Sequence, residues 1–569
     1  MALFTRYWLS KVLFLLLPIL IGVLITRRTT PTPDYLPLHD QSIETLQVFL
    51  QNGTLTSEEL VQLYLRRIEE STAAFHPVAE INPSALEIAR QLDVERKVSG
   101  PRSPLHGLPV LVKDSISAHG MNNTAGSLCL VGSKTRKEAS IISRLRNAGV
   151  IILGKANMSQ WGNSRSSPKS QSNGWSAWGG QTLGAFYPNQ DPCGSSSGSA
   201  VAMSLDLAAF TVGVETVGSM ICPASRNNVV GIKTTSGLVA RDNVIVTKMR
   251  GSIGPFAKTV RDAAIALSIM AGKNAEDPIS QEIPFESTPD YEKACKLADF
   301  RSIRLAIPQN AFQNPFVQSM NLSAIKKDFE IVVSSFRGHG ATIIDDVNYS
   351  SYDRINGPSA PQQYVGPAEY KSDMAHYFRG LEINPLNIQN IEDMISCTKS
   401  IPGEDYPSRD ISYWDTVRKA DDVLSEKVVA GIKEMRYLGG AAGIDEVLDA
   451  SGADAIILPS IVSADVPGLV GYPIITVPMG FSPSDTPVTL NERGNLVWDG
   501  PNIPYGLSFI GRPYSEERLI ELAYTFEQSI RSQSEGRSFA SPKSDLNGSP
   551  RSVWFMLGLL QVFYTHFFS

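Results

Sequence analysis

Three short stretches of this chain carry residue types suited to nucleophilic chemistry. Lys113 directly follows the all-apolar run LPVLV at 108–112. The run Gly194-Ser195-Ser196-Ser197-Gly198-Ser199 opens the apolar stretch SAVAMSL. Ser219 lies in ETVGSMICPASRNNVVGIKTTSG, residues 215–237, between a strand-like run and Pro223. A serine hydroxyl is a weak nucleophile until a neighbouring base takes its proton. A lysine at the end of an apolar run either reaches water or is buried. Burial disfavours the ammonium and lowers a pKa that is ordinarily ~10.4. A neutral amine can then accept a serine's proton without a histidine. Gly218-Ser219 gives up packing area, which suits a tight turn or a place where something approaches the main chain.

The serine run permits a second chemistry. GSSSG matches G-x-S-x-G, the nucleophile elbow of α/β-hydrolases, with Ser196 at its centre. An esterase of that type needs a histidine late in the chain. None lies between His376 and His566, His566 falls in an apolar tail, and His339 in RGHG reads as a helix-to-strand turn. Serine caps at a helix N-terminus are the purely structural use of the same run.

The elements that must hold these residues are legible from the hydrophobic pattern. Thr56-Ser57-Glu58-Glu59 reads as a capping box before a helix with Leu60, Leu63 and Ile68 on one side. Asn82-Pro83 starts another helix. LPVLV is expected to be a strand covered on both faces. EASIISRLRNAGVIILGKANM reads as helix, glycine turn and strand, and SGSAVAMSLDLAAFTVGVET repeats that order. ADAIILPS, GYPIITVPMGF and IPYGLSFIG read as late strands, and SEERLIELAYTFEQSI as a closing helix. Strands alternating with helices predict an α/β fold layered around one sheet. Residues 350–420 are polar, rich in Tyr and Pro, and read as loops and short helices over a cleft. No linker or repeat interrupts 40–535, which is taken as one large domain.

The chain has 569 residues, 42% hydrophobic and 19% charged, with a net charge of −6. No basic block suggests a nucleic-acid partner. Five cysteines, at 129, 193, 222, 295 and 397, show no C-x-x-C, and the histidines show no H-x-x-x-H. That spacing argues against a disulfide framework and against a metal site.

The ends differ from the middle. Arg6 and Lys11 precede an uncharged apolar run from Val12 to Thr26, followed by Arg27-Arg28. At ~1.5 Å per residue the run makes roughly 22 Å of helix, short of a ~30 Å hydrocarbon core unless Tyr7–Lys11 is included. Residues 1–28 read as an uncleaved single-pass anchor, with a secretory signal as the alternative. A Pro/Thr-rich linker follows at 29–39. The tail at 536–569 ends in SVWFMLGLLQVFYTHFFS, an incidental extension, a lipid-anchor signal or a membrane-contacting helix. N-x-[ST] triplets begin at Asn52, Asn122, Asn157, Asn321, Asn348 and Asn547.

Taken in order, these blocks resemble the amidase signature family over nearly all of residues 40–535. PLHGLPVLVKDSI is similar to the segment carrying that family's lysine, DPCGSSSGSAVA to its Gly/Ser-rich signature, and ETVGSMICPASRNNVVGIKTTSGL to its nucleophile segment. AGVIILGKANMSQW, VGYPIITVPMGF and IPYGLSFIGRPYSEERLIELAYTFEQ are further family-like blocks. The family's bridging serine precedes its nucleophile by 24 residues, the spacing of Ser195 and Ser219 here. The resemblance implies a single α/β/α domain around a mixed sheet, and hydrolysis of a carboxylic amide with no metal or cofactor. It implies Ser219 as nucleophile, Ser195 as a proton bridge held by a cis peptide bond, and neutral Lys113 as base. It further implies Ser196 in support and the N–H groups of Thr216, Val217, Gly218 and Ser219 as an oxyanion hole.

Two positions depart from the family pattern. Val217 stands where relatives commonly have Gly or Asp, and Cys193 where they often have Gly. An amidase-fold protein that binds amides without turnover is therefore a second reading. The family also supplies an amidotransferase component for tRNA charging, against which the N-terminal run and the lack of a basic patch argue. Fatty-acid amides suit a membrane tether, and small aryl or peptide amides are equally allowed.

Overall fold

The computed structural model of the protein describes residues 38–314, 322–530 and 538–545. The N-terminal apolar run and the C-terminal apolar tail lie outside the described residues, and with them the anchor, signal and tail expectations. Among the described residues, no helix is long and apolar enough to cross a membrane. Residues 42–543 form one unit. Of a second, drawn from 1–41 and 544–569, the described part includes a bond from the Leu38 N–H to Asp545 Oδ1.

Helix 57–75 begins where its capping box predicts. Thr56 Oγ1 accepts from the Glu59 N–H at 3.1 Å, and Glu59 Oε2 accepts from the Thr56 N–H at 2.9 Å. Two otherwise unpaired donors of the first turn are thereby satisfied.

Eleven strands form one mixed sheet. In chain order they are β1 (Val78–Ile81), β2 (Pro109–Lys113), β3 (Ile151–Ala156), β4 (Phe210–Glu215), β5 (Val230–Lys233), β6 (Ser252–Ala257), β7 (Arg304–Pro308), β8 (Thr342–Val347), β9 (Ala455–Pro459), β10 (Ile474–Phe481) and β11 (Pro504–Ile510). Across the sheet the order is β1-β3-β2-β4-β6-β5-β10-β11-β9-β7-β8. β2 runs parallel to β3 and β4, β7 runs parallel to β8 and β9, and the other neighbours are antiparallel. β2, β3, β4, β5, β6, β9 and β11 are buried at every position. Successive side chains point to opposite faces, so both faces are covered there. This is the α/β fold around one sheet that the alternating pattern predicts, and the sheet is mixed, as the family resemblance implies.

One expectation holds only in part and another fails. Residues 350–420 hold helices Gln362–Arg379, Ile391–Ser400 and Ser412–Lys419; the last two are the short helices expected, and the first is longer than any expected there. Pro367 sits inside the first of these, which is why the segment reads as a loop. These helices bury Tyr370, Tyr377, Phe378, Ile395 and Trp414 around Trp161, whose ring meets Trp414 edge-on at 5.8 Å. The cysteines are also paired: Cys129 with Cys397, and Cys193 with Cys222. The partners are 268 and 29 residues apart, so folding, not local spacing, brings them together. Cys295 is a buried free thiol whose pKa burial pushes up to about 12. Among the glycosylation triplets, Asn157 is fully buried with its amide bonded to Thr182 Oγ1 at 3.0 Å, so it is no acceptor in the folded chain.

Candidate active site

The parallel pairing of β2 with β4 brings the three stretches together. Val112 of β2 lies opposite Val212 of β4. Their C-terminal ends therefore emerge on the same side, where open α/β sheets gather ligand-binding residues. Lys113 is the last residue of β2, and Ser219 lies in the turn after β4. Ser195 and Ser196 precede helix Ser197–Ser204, which leads back into β4.

Lys113 is 2% exposed. Its Nζ lies 2.7 Å from Ser195 Oγ, 3.0 Å from Ser196 Oγ and 3.0 Å from Val214 O. Ser195 Oγ is in turn 3.0 Å from Ser219 Oγ. Burial pushes the Lys113 pKa down from 10.5 to about 7, and the charge of Glu215 opposes that fall without reversing it. The Gly194–Ser195 peptide is cis.

The three partners of Lys113 are not equivalent. Val214 O can only accept. Ser196 donates its own hydroxyl proton to Val214 O at 3.1 Å and accepts from the Val214 N–H at 3.2 Å, so it too can only accept from the amine. A neutral amine has two N–H groups and one lone pair. Ser195 is the one partner of the three left free to donate to that lone pair. Ser196 is fully buried. Among the described residues no histidine bonds to it, so an α/β-hydrolase-type esterase centred on Ser196 lacks its histidine base.

The turn carrying Ser219 is built on a buried carboxylate that sequence reasoning missed. Glu215 ends the apolar β4 and is 1% exposed. Its Oε1 accepts from the Gly218 N–H at 2.8 Å, and its Oε2 from the Met220 and Ile221 N–H groups at 2.5 and 2.9 Å. Gly218 takes φ +73° in that turn, a conformation other L-residues resist. The one available signal for Glu215 is an acid closing an otherwise apolar strand. Of the four main-chain donors expected to form a hole, Gly218 is thus occupied by Glu215. The Val217 and Ser219 N–H groups meet no acceptor among the described residues. Thr216 bonds through its side chain to Thr247 Oγ1 at 2.9 Å. Val217 is 42% exposed and packs against Gly468, where a Cβ would come within 2.6 Å of Val217 Cγ2.

The serine loop is braced from below. Asp191 Oδ1 accepts from the Cys193 N–H at 2.9 Å and from Asn173 Nδ2 at 3.0 Å. Burial pushes the Asp191 pKa up to about 6. The Ser196 N–H donates to Ser219 O at 2.9 Å, and the Ser159 N–H to Ser195 O at 3.1 Å.

Against this geometry, the family model for Amidase matches residues 59–520. The chain belongs to the Amidase family. It is an amidase, acting on carbon–nitrogen bonds, on a mixed α/β fold with a large central sheet. This amidase is 38% identical to a putative amidase of Arthroderma benhamiae, over 89% of this chain and 84% of that protein. It is 32% identical to a probable amidase of Arabidopsis thaliana, over 86% of this chain and 90% of that one. Among solved structures, native peptide amidase of Stenotrophomonas maltophilia superposes with a TM-score of 0.77 at 31% identity, covering 89% of this chain and 99% of that chain.

Proposed function

We propose that this amidase hydrolyses a carboxylic amide through an acyl-enzyme on Ser219, with Ser195 passing protons between Ser219 and neutral Lys113. The observation that carries the reading is the unbroken chain from Lys113 Nζ to Ser195 Oγ to Ser219 Oγ, at 2.7 and 3.0 Å. With Lys113 protonated, the ammonium donates to Ser195 and Ser195 to Ser219. With Lys113 neutral, the hydroxyl protons turn round: Ser219 donates to Ser195 and Ser195 to the amine lone pair. The second arrangement leaves Ser219 Oγ rich in electron density, on a residue that is only partly buried.

In the reaction, the Ser219 Oγ–carbonyl bond forms as its proton moves to Ser195 and that of Ser195 to Lys113. The oxyanion is held by main-chain N–H groups within Thr216–Ser219, with Val217 and Ser219 ready in the resting state and the Gly218 N–H bonded to Glu215. Each such donor is worth ~3 kcal/mol in the transition state. Lys113 returns a proton through Ser195 to the leaving nitrogen, the C–N bond breaks, and water cleaves the acyl-enzyme by the same relay. The resemblance to peptide amidase makes peptidyl amides the first substrate class to assay. Two disulfides support an oxidising compartment, to which the run at 12–26 would direct the chain as signal or anchor.

A fluorophosphonate probe tests the assignment. The full chain should be labelled at Ser219, as mapped by peptide mass, and folded Ser219→Ala should not be. Labelling of folded Ser219→Ala at the wild-type rate, or a folded wild type that does not react, would overturn it.

A further inference from the structure

Two side chains beside the relay take no part in it. Cys193 lies two residues before Ser195, Cys222 lies three after Ser219, and the two are joined with Cα atoms 5.8 Å apart. The relay depends on two hydroxyls from different turns. Ser195 belongs to the loop entering helix 197–204, and Ser219 to the turn leaving β4 for helix Ile221–Arg226. Their Oγ atoms are 3.0 Å apart. Beyond about 3.5 Å an O–H group no longer bonds, so a slip of half an ångström between the turns breaks the path.

Few direct ties hold one turn to the other. The Ser196 N–H donates to Ser219 O at 2.9 Å. Asn227 Nδ2 reaches back to Pro192 O at 2.9 Å while also bonding Pro223 O at 2.8 Å. Gln190 Nε2 also donates to Arg226 O at 2.7 Å, and Ser196 Oγ bonds the Val214 O and N–H just before the Ser219 turn at 3.1 and 3.2 Å. Further restraints are internal to each turn. Ser197 Oγ bonds Cys193 O, Glu215 gathers the N–H groups of Gly218, Met220 and Ile221, and the Cys222 N–H bonds Gly218 O. The disulfide is the covalent tie across this gap.

We propose that Cys193 and Cys222 are positioning residues for the proton relay: their disulfide holds the Ser195 turn against the Ser219 turn at bonding distance. The proposal rests on the nucleophile reading above. It also explains the departure at Cys193 as half of a crosslink rather than a loss of function. Opening the bond lets the hydroxyls drift apart while the sheet, Lys113 and Glu215 stay in place. The rate of attack by Ser219 then falls, and binding of a small acyl mimic does not. The bond is also the more accessible of the two disulfides. Cys222 is half-buried, whereas Cys129 and Cys397 are both buried. A dithiol such as dithiothreitol would open it by exchange: the Cys193–Cys222 bond takes up two electrons and two protons to give two thiols, and the reagent becomes a cyclic disulfide.

The test compares Cys193→Ser/Cys222→Ser with Cys129→Ser/Cys397→Ser as full-length proteins. A fluorophosphonate serves as probe, its inactivation rate constant and its binding constant being measured separately. Removing the 193–222 bond should lower the rate constant about tenfold to a hundredfold with the binding constant unchanged. Removing the 129–397 bond should lower the melting temperature and leave the rate constant within twofold. On wild type, mild dithiothreitol should lower the rate constant in step with alkylatable thiols appearing at 193 and 222, and reoxidation should restore it. This arm decides the matter if the double variant does not fold. The proposal is overturned if Cys193→Ser/Cys222→Ser labels at the wild-type rate, or if rate and binding constants fall together with melting temperature in both double variants. It is also overturned if the thiols appear with no change in rate, or if both residues are free thiols in the native protein. A wild type unlabelled at Ser219 sinks the nucleophile reading itself. A labelled wild type with an equally fast variant sinks only the positioning role.

Discussion

Replacing Lys113 by methionine separates what its burial does for activity from what it does to stability. Burial lowers the amine's pKa from 10.5 to about 7. At ~1.4 kcal/mol for each tenfold change in proton affinity, keeping this amine in the fold costs roughly 5 kcal/mol below pH 7. Methionine has nearly the same shape and no charge. It forfeits the bonds to Ser195 Oγ, Ser196 Oγ and Val214 O, at about 1 kcal/mol each. The balance is a gain of ~2 kcal/mol near neutral pH, or ~2 °C in melting temperature for a unit of about 500 residues. Below about pH 7 both folded and unfolded chains hold the proton, and the cost of burying it is complete. Between about 7 and 10.5 only the unfolded chain holds it, so wild-type stability rises with pH, and above 10.5 the cost is gone. Calorimetry of both proteins at pH 6.5 and 9.5 should therefore find the variant more stable at the lower pH and less stable at the higher. Its amide turnover should drop by about 10²–10⁴-fold with loss of the base. A stability difference that does not change with pH, or turnover above a few per cent of wild type, would refute the reasoning.

Four further outcomes follow from the same geometry. Wild-type kcat/KM should rise with pH through about 7 as Lys113 loses its proton, and a flat profile from pH 5 to 9 would exclude the amine as base. Glu215→Gln removes the charge that favours the Lys113 ammonium, so that rise should move to lower pH. An unmoved or upward-moved limb would contradict the assignment. Val217→Gly takes away the side chain packed against Gly468 and should widen the range of acyl groups hydrolysed in an amide library, whereas an unchanged range would show that Val217 does not border the acyl pocket. Cys129→Ser/Cys397→Ser opens a crosslink spanning 268 residues and should cost ~2–5 kcal/mol in urea unfolding.

How much of this was legible in the sequence depends on how local each signal is. The capping box at Thr56, the glycine turn before β3 and the apolar run leading to Lys113 in β2 depend on neighbouring residues, and the structure has them where the pattern predicts. Helix 362–379 is equally local, but Pro367 and its many tyrosines mask the period. Its apolar side is defined by residues distant in sequence, Met158, Trp161 and Trp414 among them. The pairing of Cys129 with Cys397 is beyond any spacing rule for the same reason. Glu215 is the sharper case. A carboxylate at a strand end ordinarily reads as a group reaching water. Here the chain folds back within six residues and offers it three main-chain donors, and nothing in the residue types ETVGSMI specifies that turn. The protonation of Lys113 is less local still. Whether its amine is neutral depends on β4 lying parallel beside β2, so that Val214 O and Ser196 close over Nζ in place of water. The residue types name candidates for a relay, but the register between two strands 100 residues apart decides that the lysine is buried. A one-residue slip of β2 would turn Lys113 to the opposite face of the sheet, away from both serines.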